Sequence, residues 1–373
     1  MKPLCIVADD RSAFINEADT VWSGYKIVDV HSLLSDNDRP DELYRSLAAV
    51  EVLNAQPLLL AVIYTSGSTG VPKGVQITHR MVMNRIMWQW QRFPFRPDDF
   101  GCLKTSPLFV DSVVEIFSCL LHPVNLVISR ADITSNVEEF LGFLQRHSIT
   151  RLTLVALLLH SILCFLSLPS ESARFPLRQL ELWISNSETL SVSNARRFFA
   201  TFPRHKTLCN FYGGTETMAD VTFDVFSGID DVERKRVDDA LSIGRPVWNT
   251  IVYVVDSKRG QLCKQGDVGE ICVSGLNVTS RGYVADDKNS EHFVNNSFLQ
   301  ETKLSNSGER QDHMRLYRTG DYGRVIDGRV IDGRVIDGRV IDGRLMYDGR
   351  RDSQVTLLTN NCFVHAVIFS LGN

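Results

Sequence analysis

Between residue 58 and about residue 225, short apolar runs alternate with stretches whose apolar residues recur every three or four positions. Leu58 to Ile63 contains no polar residue and reads as a buried strand, and Val75-Gln76-Ile77 reads as a short one. Thr78 stands where a helix cap is expected, ahead of Val82, Ile86 and Trp90 at four-residue spacing. The pattern predicts further helices over 113–121, 137–144 and 194–202. It predicts further strands over 124–128, 149–155, 180–184 and 208–212. Such alternation implies an α/β fold, a mostly parallel sheet flanked by helices. After about residue 242 the texture changes. Runs at 250–255 and 269–273 are short and separated by Gly, Asp, Lys and Gln, which predicts a smaller antiparallel, barrel-like subdomain. Residues 285–314 are polar and read as loop.

One segment fits neither texture. From Gly323 the unit Gly-Arg-Val-Ile-Asp occurs four times in tandem, ending at Gly343-Arg344. A period of five matches neither a helix nor a strand, and each Asp-Gly favours a turn. The repeat is expected to be a loop insertion over 323–344 with no chemistry of its own.

Composition narrows the function classes. The 373 residues carry a net charge of −4, with 44% hydrophobic and 23% charged residues, so a nucleic-acid surface or a basic membrane patch is not indicated. Leu152 to Leu168 lacks charged residues but is shorter than the roughly 20 residues a membrane helix needs, and reads instead as a buried strand entering a buried helix. The eight cysteines are scattered without a C-x-x-C pair, which argues against structural zinc or a disulfide framework and for a cytoplasmic location.

The densest chemistry lies at 64–75, Tyr-Thr-Ser-Gly-Ser-Thr-Gly-Val-Pro-Lys-Gly-Val. Thr65, Ser66, Ser68 and Thr69 supply hydroxyls, Gly67 and Gly70 let the backbone turn tightly, and Lys73 supplies a point charge. These are the parts of a loop that holds a polyphosphate. It is not the common P-loop, because Pro72 precedes the lysine and Gly74 follows it. Farther along, Tyr212-Gly213-Gly214-Thr215-Glu216 places an aromatic face, a hydroxyl and a carboxylate just past a predicted strand end. An aromatic ring can stack on a base, and a carboxylate can hold Mg²⁺ that bridges to phosphates. Then follow Gly244-Arg245-Pro246, Gly266-Asp267-Val268-Gly269-Glu270, Ser280-Arg281-Gly282-Tyr283, Tyr317-Arg318-Thr319-Gly320-Asp321 and Gly349-Arg350-Arg351-Asp352.

In this order, from about residue 45 to 355, the motifs closely resemble the adenylate-forming superfamily, and especially the adenylation domains of nonribosomal peptide synthetases. The resemblance implies ATP-dependent activation of a carboxylic acid to an acyl-adenylate. The acyl group would then pass to phosphopantetheine on a separate carrier protein domain. It implies that Thr65, Ser66, Gly67, Ser68, Thr69, Gly70 and Lys73 handle the β- and γ-phosphates. Tyr212 would stack on adenine beside Gly213 and Gly214, Thr215 would meet the α-phosphate, and Glu216 would hold Mg²⁺. Asp321 would bind the ribose hydroxyls with Arg350 beside it, and Asp352 would be the hinge of a mobile C-terminal domain.

The acid pocket, by the same resemblance, consists of Val110, Asp111, Val114, Thr153, Ile184, Asn186, Phe211, Ala219 and Asp220. Amino-acid-activating members place an Asp directly after a Phe to bind the substrate ammonium. Here Val110 follows Phe109 and the acid comes one place later, as Asp111. A buried ammonium demands a carboxylate partner, and moving that partner by one position suits an amine on the β-carbon. The pocket resembles that of insect-type β-alanyl amine synthetases, so β-alanine is the expected acid, with an α-amino acid as the alternative. The bland alternative for Asp111 is a helix cap ahead of Ser112. An acyl-CoA synthetase acting on fatty acids is disfavoured by Asp111 and Asp220.

Measured against the superfamily, 1–57 reads as a remnant of a first sheet subdomain and 58–225 as the nucleotide- and substrate-binding subdomain. Residues 226–346 read as the β-rich subdomain, and 347–373 as hinge and shortened C-terminal segment. The superfamily's C-terminal catalytic lysine has no counterpart, so the chain is expected to be a fragment with little turnover. A non-catalytic remnant that binds ATP or a partner is the competing expectation.

Overall fold

The computed structural model describes residues 58–65, 72–122, 124–130, 132–202, 205–284, 289–299, 311–326 and 344–350, and the backbone of four short strands at 5–8, 26–29, 334–336 and 368–369. Leu59–Thr65 and Lys73–Thr78 pair antiparallel, with Thr65 opposite Lys73. The two stems of the hydroxyl- and glycine-rich loop are thus hydrogen-bonded neighbours. Ser66, Gly67, Ser68, Thr69 and Gly70 lie outside the described residues, as does Asp352. Thr78 caps the helix His79–Arg92 as its sequence suggests, its hydroxyl accepting the Met81 N–H at 3.4 Å.

The alternating region forms parallel β structure. Phe100–Leu103 runs parallel to Asn125–Ile128, and Arg151–Val155, Leu182–Asn186 and Thr207–Tyr212 pair in parallel side by side. Their covering helices include Val137–Arg146, Ala156–Phe165 and Val192–Thr201, whose buried Phe140, Leu159, Leu163 and Phe198 pack into one core with Trp183. The charge-free stretch after Arg151 is a strand entering a helix, as expected. Among the described residues no helix is long and apolar enough to cross a membrane.

Thr222–Phe226 then runs back antiparallel to Thr207–Tyr212. From it the same sheet continues, in order, through Ala240–Pro246, Arg344–Arg350, Arg315–Ile326, Gly269–Gly275, Thr250–Asp256 and Gln261–Leu262. The parallel and antiparallel textures therefore share one hydrogen-bonded ladder. At their junction Gly244 has φ +79°, and a Cβ there would meet the Phe223 carbonyl oxygen at 1.9 Å, so only glycine fits.

Three local expectations change. The helix expected at 113 begins at Val110, because Phe109 is already extended and takes the cap position. The polar stretch after 285 includes a short helix, Asn289–His292, and a strand, Phe293–Asn295, which pairs with Arg315–Tyr317. The tandem repeat is not wholly loop. Its first copy completes the long strand ending at Ile326, with Val325 buried, and Arg334–Ile336 pairs with Ile251–Tyr253. Each Arg-Val-Ile is a three-residue piece with two β-branched side chains, suited to a pleated sheet.

Candidate functional site

The strand Thr207–Tyr212 carries both halves of the candidate site at its C-terminal end. Successive strand residues face opposite sides of the sheet. Phe211 packs with Ile184 and Trp88, whereas Tyr212 lies against the cluster that holds Val110, Val114 and Ala219. Past the strand the chain turns sharply. A Cβ on Gly213 would strike the Ala219 carbonyl oxygen at 2.0 Å, and Gly214 exchanges hydrogen bonds with Thr217 at 3.1 Å. Met218 and Ala219 both have positive φ, 53° and 68°, a conformation that non-glycine residues adopt at a cost. This turn leaves Tyr212 to Glu216 half-buried and sinks Ala219 and Asp220.

In the first half, the Tyr283 hydroxyl donates to Glu216 Oε1 at 2.9 Å, and Lys73 Nζ lies 5.0 Å from the centroid of the Tyr283 ring. Lys73 Nζ is also 3.1 Å from His292 Nε2. Backbone bonds fix the arrangement: Thr279 N–H donates to the Glu216 carbonyl, Gln76 N–H to Gly282 and Val284 N–H to Gly74. The loop stem bearing Lys73 and the turn bearing Thr215 and Glu216 are thereby stitched together through residues 279–284.

On the other side of that turn, the Tyr212 hydroxyl donates to Asp321 Oδ2 at 2.7 Å, and its ring stands 5.9 Å from Tyr347. Burial, reinforced by the Asp321 charge, raises the Tyr212 phenol well above its ordinary value. Asp321 faces Arg350 across neighbouring strands, and the guanidinium approaches Asp321 Oδ1 at 3.3 Å. Residues up to 277 positions apart, from Lys73 to Arg350, thus line one region.

The second half is mostly buried. Asp111 sits in the first turn of the helix Val110–Leu120, but it does not cap it; Asn186 Nδ2 instead donates to Asp111 Oδ1 at 2.6 Å from the end of the strand Leu182–Asn186. The capping alternative is therefore excluded. Burial, with the like charges of Asp220 and Glu115, pushes the Asp111 carboxyl up to about 7, against the opposing pull of Lys104 and Arg85. Asp220 is bound by Arg85 at 2.6 Å, with both side chains buried, and Arg85 also lies 5.4 Å from the Phe211 ring. Burial raises Asp220 while Arg85 opposes the rise. Thr153 is the register partner of Ile184 on the neighbouring strand. Arg85 Nε and Ser185 Oγ are buried without a hydrogen-bond partner.

Arg85, Tyr283 and His292 did not stand out from the sequence as site residues. Arg85 had a readable signal, a charge on the apolar stripe between Val82 and Ile86. Tyr283 belonged to a quoted motif but had no assignable role until Glu216 was placed beside it. Nothing local marks His292.

The first half offers an ammonium, two hydroxyls and a carboxylate at the mouth of a glycine-tight turn. That donor set suits a magnesium polyphosphate. Among the described residues no group of three or more His, Cys, Asp and Glu side chains could cage a metal alone, so Glu216 would share Mg²⁺ with phosphate oxygens and water. Lys73, Thr65 and Thr215 would face the phosphates.

Comparison with known proteins agrees with this geometry. A profile described as AMP-binding enzyme matches residues 6–284. The beta-alanyl-bioamine nonribosomal peptide synthetase ebony of Drosophila melanogaster is 37% identical over 300 residues, covering 79% of this chain and 31% of that protein. Bacitracin synthase 3 of Bacillus licheniformis is 33% identical over 264 residues, 70% of this chain and 4% of that protein. The chain therefore spans at most about a third of the length of these two relatives. Among solved structures, CmiS6 superposes with a TM-score of 0.61 at 24% identity, over 78% of this chain and 60% of that one, which supports the fold. With its α/β sheet, its stitched lysine and carboxylate and its matched profile, the chain belongs to the AMP-binding enzyme family.

Proposed function

We propose that this chain activates an amino acid with ATP, joining the acid's carboxylate to AMP and releasing pyrophosphate, and that the acid is β-alanine. The carboxylate oxygen attacks the α-phosphorus and the bond to the leaving pyrophosphate breaks. Mg²⁺, when bound, would neutralise charge on the phosphate oxygens. Lys73 places a positive charge beside the leaving group, and Thr215 offers a hydroxyl to the α-phosphate. Tyr212 presents its face to adenine, and Asp321 with Arg350 receives the ribose. Such chemistry needs positioning and charge stabilisation rather than a covalent intermediate on the protein. In the same reading the acyl group goes on to a phosphopantetheinyl carrier domain, and Asp352 serves as a hinge.

The observation that carries the substrate reading is the state of the two pocket carboxylates. Asp220 already has a cation, Arg85, at 2.6 Å. Asp111 has an amide donor, Asn186, and like-charged neighbours, and among the described residues no cation lies at ion-pair distance from it, so a substrate ammonium would supply that direct partner. Val110, where superfamily members keep that acid, is buried in the apolar cluster. A counterion one residue farther along suits an amine one carbon farther from the carboxylate. The similarity to ebony supports the same reading.

The test is substrate-dependent ATP–pyrophosphate exchange with β-alanine against a panel of α-amino acids. Exchange is expected with β-alanine above every α-amino acid. Preference for an α-amino acid would overturn the substrate, and absence of exchange with any acid would favour a chain that binds nucleotide without turnover.

A further inference from the structure

Away from this cleft, the helices Ala156–Phe165 and Val192–Thr201 bring together Cys164, His160, Asn194 and Arg197. His160 and Cys164 are four residues apart and so share a helix face. Cys164 Sγ lies 3.4 Å from His160 Nε2. The other ring nitrogen, Nδ1, is 2.8 Å from Asn194 Oδ1. An amide oxygen only accepts, so the Nδ1 proton points to Asn194 and the Nε2 lone pair faces the sulfur. Asn194 is itself buried at the N-terminal turn of its helix, where its N–H donates to Ser191 Oγ at 3.1 Å, so the residue that orients the imidazole is firmly held. Arg197 Nη1 donates to Cys164 Sγ at 2.9 Å. Its neighbour Arg196 is paired with Glu233 at 2.7 Å, whereas Arg197 has no carboxylate partner among the described residues.

The nucleophile, its base and the group that orients the base thus stand in line, with a cation at the sulfur. Cys164 is also the accessible thiol. Of the six free cysteines described, the other five are buried. Burial pushes the Cys102 thiol up to about 12 and also raises Cys119, Cys209, Cys263 and Cys272, which makes them poor nucleophiles. The adenylation reaction uses none of this cluster.

We propose that Cys164 is a thiol-modification site that reacts with disulfides of small anionic thiols, of which oxidised glutathione is the probe. The sulfur attacks one sulfur of the disulfide, and the S–S bond breaks. A mixed disulfide forms on Cys164, and the displaced thiolate takes up the proton that His160 accepted from the Cys164 thiol. The small disulfide is the oxidant, and one thiol is released for each protein thiol consumed. Arg197 neutralises charge at the reacting sulfur and, without a carboxylate of its own, draws a reagent that carries carboxylates.

The experiment is a time course of the 373-residue chain with oxidised glutathione, read by peptide-resolved mass spectrometry so that each cysteine is followed separately. Cys164 is expected to be modified ahead of the other five, and at least about tenfold faster than the same cysteine in the urea-unfolded chain. His160→Gln should slow the Cys164 adduct by about tenfold while leaving the urea midpoint in place. Arg197→Gln should slow glutathione disulfide but spare cystamine, a cationic disulfide. Equal rates in the folded and unfolded chain, or an unchanged rate in His160→Gln, would overturn the site. Cystamine reacting faster than glutathione disulfide in the unmutated chain would overturn its preference for anionic thiols. Should His160→Gln fail to fold, the folded-to-unfolded rate ratio of the unmutated chain decides alone.

Discussion

The two halves of the candidate cleft are built by opposite strategies. On the nucleotide side, Lys73, Glu216, Tyr212 and Asp321 are half-buried, Arg350 is exposed and Tyr283 is buried beneath them, and they satisfy one another across strands far apart in sequence. Water reaches Lys73, Glu216, Asp321 and Arg350, so bonds made by these groups can be exchanged for bonds to a ligand at little cost. On the acid side, Asp220, Arg85 and Asn186 are withdrawn from water and Asp111 is half-buried beside them. There Asp220 is neutralised by Arg85, whereas among the described residues Asp111 has a hydrogen bond from Asn186 and no cation at ion-pair distance. A buried charge without a cation is costly, and the protein meets that cost by shifting the Asp111 carboxyl toward its neutral form. On the proposed reading, the nucleotide half exchanges its bonds for ones to ATP, while the acid half favours a ligand that brings a cation to Asp111.

The comparison breaks first at Arg85. Arg85→Leu should strand Asp220 as a buried charge and destabilise the fold by about 3–5 kcal/mol, measured by urea denaturation. Arg85→Leu combined with Asp220→Leu should recover most of that loss, because no lone charge remains. An Arg85→Leu variant as stable as the parent would mean that the ion pair is not the support of this half.

Asp111→Asn is next. It should weaken binding of a β-alanyl-adenylate mimic by about 2–5 kcal/mol while leaving ATP binding within about threefold, because the mutated group belongs to the other half. Its effect on the free protein has the opposite sign. The folded carboxyl lies near 7 and the ordinary value is 3.8. Between those values the folded chain holds a proton that the unfolded chain has released, so stability falls as pH rises from about 4 to about 7 and then levels. Asp111→Asn removes that decline and should be more stable than the parent at pH 8, by up to about 4 kcal/mol. A substitution that strengthens the empty fold and abolishes acid binding marks a group kept for its ligand.

The same carboxyl sets the pH dependence of the acid site. The ammonium binds the ionised form, so affinity for the amino acid should drop about tenfold for each pH unit below about 7 and be flat just above it. ATP affinity should lack this slope, and so should acid binding in Asp111→Asn. Calorimetry at several pH values reads all three. The smallest expected effect is on the nucleotide side: Tyr283→Phe removes one hydrogen bond to Glu216 and should change magnesium–ATP affinity by about 1 kcal/mol or less.

The sequence was informative about these halves to different degrees. The nucleotide side is written in local motifs, because glycines and hydroxyls at fixed spacing advertise a tight turn wherever they occur. Tyr212, Glu216 and Lys73 were legible for that reason, although their meeting through Tyr283 depends on how residues 279–284 cross the strand Lys73–Thr78. The helix cap at Thr78 and the parallel strands were legible from periodicity alone. The buried side is pairwise, and pairs such as Arg85 with Asp220 or Asp111 with Asn186 span 135 and 75 positions, beyond any local pattern. The onset of the helix at Val110 was missed because Phe109 caps it by backbone conformation without a side-chain hydrogen bond. The tandem repeat misled because its period of five matches no strand period, yet its first copy extends the strand ending at Ile326 and Arg334–Ile336 pairs with Ile251–Tyr253.

The central claim is that one cleft joins an ATP seat to a carboxylate awaiting an ammonium. Its most direct measurement is calorimetric titration of the 373-residue chain with two non-hydrolysable sulfamoyl-adenosine analogues, one carrying β-alanine and one carrying α-alanine. The expected result is at least about tenfold tighter binding of the β-alanyl analogue, a preference that Asp111→Asn abolishes. Equal affinity for the two analogues, or a preference that survives in Asp111→Asn, would contradict the account.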